Sequence, residues 1–312
     1  MDNKPFGGKA YNSLSYFLKQ KFGEKIYRVS IDAGFSCPNR DGTKGVGGCI
    51  YCNEKGARAG YVNPDVDVKE QIRRGMEIIR GRYKAKKFIA YFQAYSNTYA
   101  PVEKLREIYA PALEFPEIAG ISIGTRPDCI DNEKLNLIEE IAQRKYTIIE
   151  YGVQSMKKTS LETISRAHGV DDTIRAINDT KKRKNIDILA HLIFGLPGET
   201  KDDMTETVRI LVELGVTAFK FHHLYIEKGT ALEKLYNCGL YSPLGLDEYT
   251  DILSEVISII PPRVVIHRLF GQCDRENLIA PLWTIDKQRL ITEFELELEK
   301  RGITQGCRFK KT

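Results

Sequence analysis

Six short apolar segments rich in β-branched residues recur between Lys25 and Tyr225, each parted from the next by a stretch with helical spacing of apolar positions. They read KIYRVSID, KFIAYFQ, IAGISIG, YTIIEYG, IDILAHLIFG and TAFKFHHLY. Strands that alternate with helices pair in parallel, because a parallel partner can be reached only by a long crossover. Several segments are apolar at odd and even positions alike, as required where helices cover one face of a sheet and a barrel interior fills the other. Between them the spacing predicts helices over VDVKEQIRRGMEIIRGRYK, PVEKLREIYAPALE, NEKLNLIEEIAQRK, a pair from Lys157 to Lys184, and KDDMTETVRILVELG, with Asp131 and Thr200 as N-caps. The expected fold is α/β, a partial (β/α)6 TIM-like barrel over residues 27–245. An N-terminal helical extension (1–26) precedes it. A C-terminal helical and strand extension (246–312) packs on it, with LDEYTDILSEVISII and DKQRLITEFELELEKRG as helices flanking PPRVVIHRLFG.

In a parallel barrel the carboxyl ends of the strands converge on one mouth. Here every such end is polar: Cys37 to Cys52, Gln93 to Tyr99, Thr125 to Asp128, Glu150 and Gln154, His191 to Glu199, and His222 to Tyr225. One or two polar ends are ordinary turn chemistry, whereas six in succession describe a site.

No run of about 18 apolar residues occurs, and the opening MDNKPFGGKAYNSLSYFLKQKFG has no signal-like apolar core, so a cytoplasmic protein without membrane attachment is expected. Seven cysteines in that compartment stay reduced, and clustering among them points to metal or catalysis. Cys129, Cys238, Cys273 and Cys307 are scattered, as packing cysteines are. The net charge of +5 is concentrated in Arg82 to Lys87, Lys181 to Lys184 and Arg308 to Lys311, runs that suit either a polyanionic partner or solvated helix ends.

The other three cysteines share one stretch, "CPNRDGTKGVGGCIYC", as Cys37, Cys49 and Cys52. Structural zinc closes with four ligands, and no second pair follows at finger or ribbon spacing; the next histidine is His168. Three thiolates on an iron–sulfur cluster instead leave one iron open. Cysteine spacing alone leaves both metals possible. Gly42, Gly45, Gly47 and Gly48 let the backbone wrap closely around a bulky group and aim amides at its sulfurs.

This loop after a first strand, with Tyr51 just before the third cysteine, resembles the radical S-adenosylmethionine (SAM) superfamily, although eleven residues fill the first gap where the commonest spacing has three. "GTRPD" (Gly124 to Asp128), "EYGVQS" (Glu150 to Ser155), "RAHG" (Arg166 to Gly169) and "HLIFGLPGET" (His191 to Thr200) follow in order. Together they resemble the branch of the Elongator catalytic subunit and oxygen-independent coproporphyrinogen oxidase. With "YFQAYSNTYAP" and a late "APLW" before Lys287, the chain resembles the YtqA/YhcC type from about Tyr11 to Lys287.

The resemblance implies that the barrel is of the radical SAM type and that Cys37, Cys49 and Cys52 hold a 4Fe-4S cluster, with SAM on the fourth iron. It assigns Gln93, Ser96 and Asn97 to the SAM amino group, Glu150 and Gln154 to its ribose and amino acid parts, and Arg166 to its carboxylate. Gly195, in the Gly-Leu-Pro-Gly turn, lets the backbone approach adenine. His191 stands where the coproporphyrinogen oxidase pattern has Asp and agrees with the Elongator-like one, while Gly124 replaces the Glu of that branch. His191 thus counts as both a cofactor and a catalytic candidate. With Lys220 and His222 it faces the expected substrate mouth, beside His223, Tyr225, His267 and Arg268. His168 reads as a helix cap, and Trp283 and Lys287 as a lid or core cap. By the same resemblance the substrate is tRNA, at its anticodon stem-loop, where a carboxymethylaminomethyl group on C5 of wobble uridine becomes aminomethyl. Tyr95, Tyr99 and Trp283 are then candidate base stackers, and flavodoxin or ferredoxin the electron donor. Two other readings stay open: radical chemistry on a small metabolite, and a zinc-stabilised RNA-binding protein without catalysis.

Overall fold

The computed structural model describes residues 5–53, 62–63 and 65–310. After α1 (Leu14–Phe22) the chain runs β1 (Ile26–Ile31), α2 (Val68–Tyr83), β2 (Lys87–Phe92), α3 (Val102–Glu114), β3 (Ile118–Thr125), α4 (Asn132–Ala142), β4 (Tyr146–Gln154), α5 (Lys158–Thr163), α6 (Val170–Lys181), β5 (Ile186–Phe194), α7 (Lys201–Leu214) and β6 (Ala218–His223). It continues through β7 (Ile226–Glu227), α8 (Ala231–Asn237), α9 (Leu246–Ile259), β8 (Val265–Arg268), β9 (Leu278–Ala280) and α10 (Lys287–Lys300). Asp131 accepts from the amide of Lys134 at 3.0 Å, and Thr200 exchanges bonds with Asp203, so both anticipated caps form. Among the described residues no helix is long and apolar enough to cross a membrane.

The main sheet is parallel throughout, in the order β1-β2-β3-β4-β5-β6-β8. The count of six strands is therefore one short. The seventh is the VVIHR part of PPRVVIHRLFG, which lies beside β6. Laid flat, the edge strands β1 and β8 would stand about 29 Å apart, six spacings of ~4.8 Å. Instead Arg28 on β1 lies 2.5 Å from Nδ1 of His267 on β8. The sheet is thus curled until its edges nearly meet, and α1 sits at the opening, with Ser13 bridging to Ile266.

The two faces of the strands differ as the period of two requires. Outward positions such as Phe88, Phe92 and Phe219 join the helices in the large core. Inward positions form layers. At the amino end, Ile148, Leu189, Ala218 and Val265 are buried under Leu14 and Phe17 of α1, which plug the barrel. One layer up, the same strands present Glu150, His191, Lys220 and His267. The apolar floor forces whatever these polar groups serve to enter from the carboxyl end.

Candidate active site

At that end opens a cavity of about 260 Å³. Cys37, Cys49 and Cys52 line it, and so do Gln93, Glu150, Gln154, Arg166, His191 and His222 from the strand ends and the segment after α5.

The cysteine loop is a hydrogen-bonded turn: the amides of Arg40 and Cys52 donate to the carbonyls of Cys37 (2.8 Å) and Cys49 (3.0 Å). Three ties fix it to the barrel. Lys44 pairs with Asp128 at 2.7 Å, Asn39 Nδ2 donates to the Ser165 carbonyl at 2.7 Å, and the Ile50 amide to that of Ile164 at 3.2 Å. Cationic and polar donors then face the sulfurs. Arg166 Nη1 and Asn39 Nδ2 each lie 3.5 Å from Cys49 Sγ, and Arg126 Nη1 lies 3.9 Å from that of Cys37. The hydrogen bond from Cys52 pulls the Cys49 thiol down to about 4, with Arg166 helping against burial; as donor of that bond, Cys52 is pushed up.

Among the described residues no three His, Cys, Asp or Glu side chains converge tightly enough for one metal ion. The three thiols share a cavity wall. The buried Tyr51 hydroxyl faces Cys49 and supports its thiolate, helping to hold that thiol's pKa down. Three thiols with two guanidinium groups and a buried hydroxyl turned to them fit an anionic, sulfur-rich group.

Arg166 is set with unusual care. Nε donates to His168 Nε2 at 2.9 Å, Nη1 reaches Cys49, and Nη2 donates to the Gly152 carbonyl at 2.6 Å. Burial, reinforced by Arg166 and Arg126, pulls the His168 pKa down to about 3, so the ring stays neutral and keeps its acceptor nitrogen on Arg166. His168 positions that arginine rather than capping α6, whose N-cap is Gly169. Three of the five guanidinium N–H groups are spent, leaving two for a ligand.

Backbone strain gathers around the same cavity. Seven described non-glycine residues have positive φ, and five of them are Ala94, Tyr95, Gln154, Ser165 and Ala167. Ser165 and Ala167 flank Arg166, and Gln154 follows a slip of register between β4 and β5 that re-aims the strand end. Each such residue costs about 1–3 kcal/mol, and that expense collects where a site must be held in shape.

At the floor of the cavity lies a buried charge network centred on Glu150. Oε1 accepts from Ser122 Oγ at 2.6 Å and lies 3.3 Å from Arg28; Oε2 lies 2.7 Å from His191 Nε2 and 3.0 Å from Lys220 Nζ. Burial alone would raise this carboxyl, but Lys220 and then Arg28 hold it well below the usual range. Lys220 also donates to Tyr91 Oη at 2.8 Å, and burial pushes its pKa down to about 7, with Arg268 and Arg28 acting in the same direction and Glu150 opposing. Both Glu150 oxygens are therefore engaged by protein groups.

The structure brings together Cys37, Cys49, Cys52, Gln93, Glu150, Gln154, Arg166, His191 and His222, with Lys220 bonded to Glu150. The His191 and His222 rings stack at 6.0 Å. Ser96, Asn97 and Gly195 do not line the cavity. Ser96 bonds Thr125, Asn97 Nδ2 holds the carbonyls of Ala94 and Gly124, and Leu244 packs where a side chain on Gly195 would stand. Trp283 packs on the core: its ring contacts His223 at 4.2 Å and Tyr249 at 5.8 Å, and Nε1 donates to Leu244 O. The runs Arg82 to Lys87 and Lys181 to Lys184 lead into the amino ends of β2 and β5, at the far end of the barrel from the cavity. Of the third run, Lys311 lies outside the described residues.

Arg126, Asp128, Asn39 and Arg28 carry no role in the sequence reading, although Thr125 to Asp128 stands among its polar strand ends. Arg126 binds Asp128 through Nε at 2.8 Å and Nη2 at 2.9 Å, and donates to the carbonyls of Arg166 and Ala167 at 3.0 and 3.2 Å. The signal for it was inside "GTRPD", and the signal for Arg28 was a lone charge within an otherwise apolar strand.

Known proteins carry the same pattern. The chain matches the Radical SAM superfamily over residues 39–211 and the Radical_SAM C-terminal domain over 216–300. It is 36% identical to YtqA of Bacillus subtilis over 315 residues, covering 100% of this chain and 98% of that protein. To the tRNA uridine(34) acetyltransferase of Methanocaldococcus jannaschii it is 26% identical over 190 residues, 60% of this chain and 34% of the other. The fold is shared with Methanocaldococcus infernus Elp3 at a TM-score of 0.64 and 18% identity, over 90% of this chain and 64% of that one.

Proposed function

This chain belongs to the radical SAM superfamily, and we propose that it modifies tRNA at C5 of wobble uridine, turning a carboxymethylaminomethyl group into an aminomethyl group. Members of the superfamily bind a 4Fe-4S cluster and SAM, and the donors described above fit both. Cys37, Cys49 and Cys52 would hold three irons. The two N–H groups that Arg166 keeps in reserve suit the SAM carboxylate, and Gln93 and Gln154 stand on the same wall. Bound together, cluster and SAM supply a 5′-deoxyadenosyl radical for hydrogen abstraction. The protein's part is to hold, orient and exclude water.

One observation carries the enzymatic reading: the three-thiol loop and Arg166 meet in one cavity at the carboxyl end of a parallel barrel. The likeness to a tRNA uridine(34) acetyltransferase supports the substrate. At the rim, Tyr95 and Tyr99 are partly exposed, and Arg40 lies over the Tyr95 ring at 5.7 Å, a platform of the kind that receives an unstacked loop base. The two basic runs at the opposite end of the barrel give no support. The electron comes, on this proposal, from a flavodoxin or ferredoxin in the cytoplasm.

Mass spectrometry of tRNA nucleosides from a deletion strain tests the substrate. Carboxymethylaminomethyluridine should accumulate while its aminomethyl product disappears; unchanged nucleosides, or turnover of a small metabolite with indifference to tRNA, would overturn the assignment.

A second expectation concerns SAM alone. A methyl group on Gly152 would stand 2.6 Å from Arg166 Nη2 and 3.0 Å from Gln154 Nε2. Gly152→Ala should therefore displace the arginine and raise the SAM dissociation constant about 10- to 100-fold, the scale of a misplaced clamp. Equilibrium titration of the reconstituted protein reads this, and an unchanged constant would remove Arg166 from the SAM site.

A further inference from the structure

The end of the barrel away from the cavity carries a charge imbalance that the site does not use. The segments leading into β1 to β5 meet there, and the strand register sets them side by side. Ile26 pairs with Lys87, so Lys25 and Lys86 are neighbours just outside the ladder, and Arg144 and Lys184 stand just beyond the Thr147–Ile186 pair. Lys84 caps the end of α2, and Lys181 closes α6 with Nζ 3.1 Å from where a side chain on Gly215 would begin. All six are exposed, and among the described residues none forms an ion pair. The acids nearby are already taken: Glu24 by Lys87 at 3.4 Å, Glu117 by Arg80 at 2.7 Å, Asp179 by Lys182 at 2.7 Å, Glu139 by Arg183 at 3.7 Å, and Asp187 by the Tyr146 hydroxyl at 2.6 Å. Glu213, at the end of α7, is left over.

Cations at helix carboxyl ends are ordinary, since each end carries about half a negative charge within its last turn. The crossover helices α2, α3, α4, α6 and α7 all end here, which is too little to answer six cations, and Lys25, Lys86 and Lys184 stand past the last turn of any helix. An aromatic step lies among them. Tyr83, the last residue of α2, stacks on Tyr27 of β1 with ring centres 5.1 Å apart and 18° between planes, Arg82 lies 5.2 Å from its centre, and it stays 49% exposed. From β1 to β5 the cations follow an arc of about 19 Å, four strand spacings of ~4.8 Å. That spread suits a chain of phosphates rather than a single anion, and an exposed tyrosine beside an arginine is what an unstacked base needs. A membrane surface would ask instead for an apolar face to insert.

We propose that the amino end of the barrel is a second, non-catalytic binding face for single-stranded RNA, which lays its phosphates on these cations and one base against Tyr83. β4 runs from Tyr146 at this end to Gln154 on the cavity wall, roughly 26 Å away, so the face holds a different stretch of RNA from any that enters the cavity. The choice of RNA among polyphosphates rests on the proposed function; the charge and the aromatic step do not.

The test is fluorescence anisotropy of a labelled single-stranded RNA oligonucleotide with the reconstituted full chain, at several salt concentrations. Affinity should fall steeply with salt, by about 0.7 logarithmic units per phosphate contact for each tenfold rise. The double variant Lys84→Glu, Lys86→Glu should bind at least about 10-fold more weakly with a slope shallower by about 1.4, while its cleavage of SAM without RNA stays unchanged. Tyr83→Ala should weaken binding about 5- to 100-fold with the slope kept, the loss of one stacked base. A thermal melt accompanies each variant, and the lysine pair carries the test where Tyr83→Ala fails to fold. Equal affinity and slope in the lysine variant, or binding of phosphatidylserine vesicles in place of RNA, overturns the face. RNA held here by a protein whose deletion leaves tRNA nucleosides unchanged would sink the tRNA reading and keep this one; altered nucleosides with no binding here would do the reverse.

Discussion

Replacing Cys49 with serine is expected to lower reductive cleavage of SAM by more than about 100-fold while the barrel stays folded. Groups that merely support a metal ligand are commonly worth 10- to 100-fold, and Cys49 is the sulfur on which Asn39, Arg166 and Cys52 all converge. The loop around it is held through the Lys44–Asp128 pair, the bond from Asn39 to the Ser165 carbonyl and the Ile50 amide, contacts that do not end on the sulfur. The melting temperature should therefore move by less than about 4 °C, the scale of 1 kcal/mol in a large domain. Chromatographic detection of 5′-deoxyadenosine beside a thermal melt separates the outcomes. Undiminished cleavage would remove Cys49 from the ligand set, and a collapsed protein would show the thiol to be structural.

The second large effect is on acid stability. Every histidine is held below its ordinary value, with burial as the leading cause: His168 and His223 near 3, His191 near 4, and His222 and His267 well below the usual range. An unfolded histidine takes its proton near pH 6.5. Between 6.5 and the folded values the unfolded chain binds more protons, so stability falls as pH falls through that window and is fully present above it. Each ring contributes up to about 1.4 kcal/mol per pH unit, so five together remove about 6 kcal/mol between pH 7 and pH 5.5. That is comparable to the whole stability of an ordinary domain. Unfolding should be centred near pH 5, before the carboxylates titrate, with uptake of several protons. Circular dichroism against pH with parallel potentiometry measures it, and a midpoint below pH 4 would mean that these rings accept protons within the fold.

The fold was legible where the pattern was long. Six strands of six to nine residues stand out by β-branched runs, and their crossovers by helical spacing. β8 has four residues, follows two prolines and ends in His-Arg, so its period is too short to register, and only pairing with β6 makes it a strand. At the site, strand ends told which segments would meet but not which side chains would be left over. Ser96 and Asn97 bond the end of β3, Ser96 through Thr125 and Asn97 through the Gly124 carbonyl, partners 29 and 27 residues away that no local window shows. Glu150 is answered by Arg28 and Lys220 from strands far away in the chain, and no local window reveals that a carboxylate has been satisfied. The resemblance supplied roles that spacing could not, while the neighbours of Arg166 became visible only in three dimensions.

Asp128 joins two parts of the chain that are distant in sequence. One oxygen takes Arg126 Nε, the other takes Arg126 Nη2 and Lys44, and Arg126 in turn grips the backbone at Arg166 and Ala167. The cysteine loop, the end of β3 and the approach to α6 are thereby clasped by one carboxylate. Removing that single charge would unfasten all three segments together, so the loop's three cysteines and Arg166 share one anchor that none of them touches.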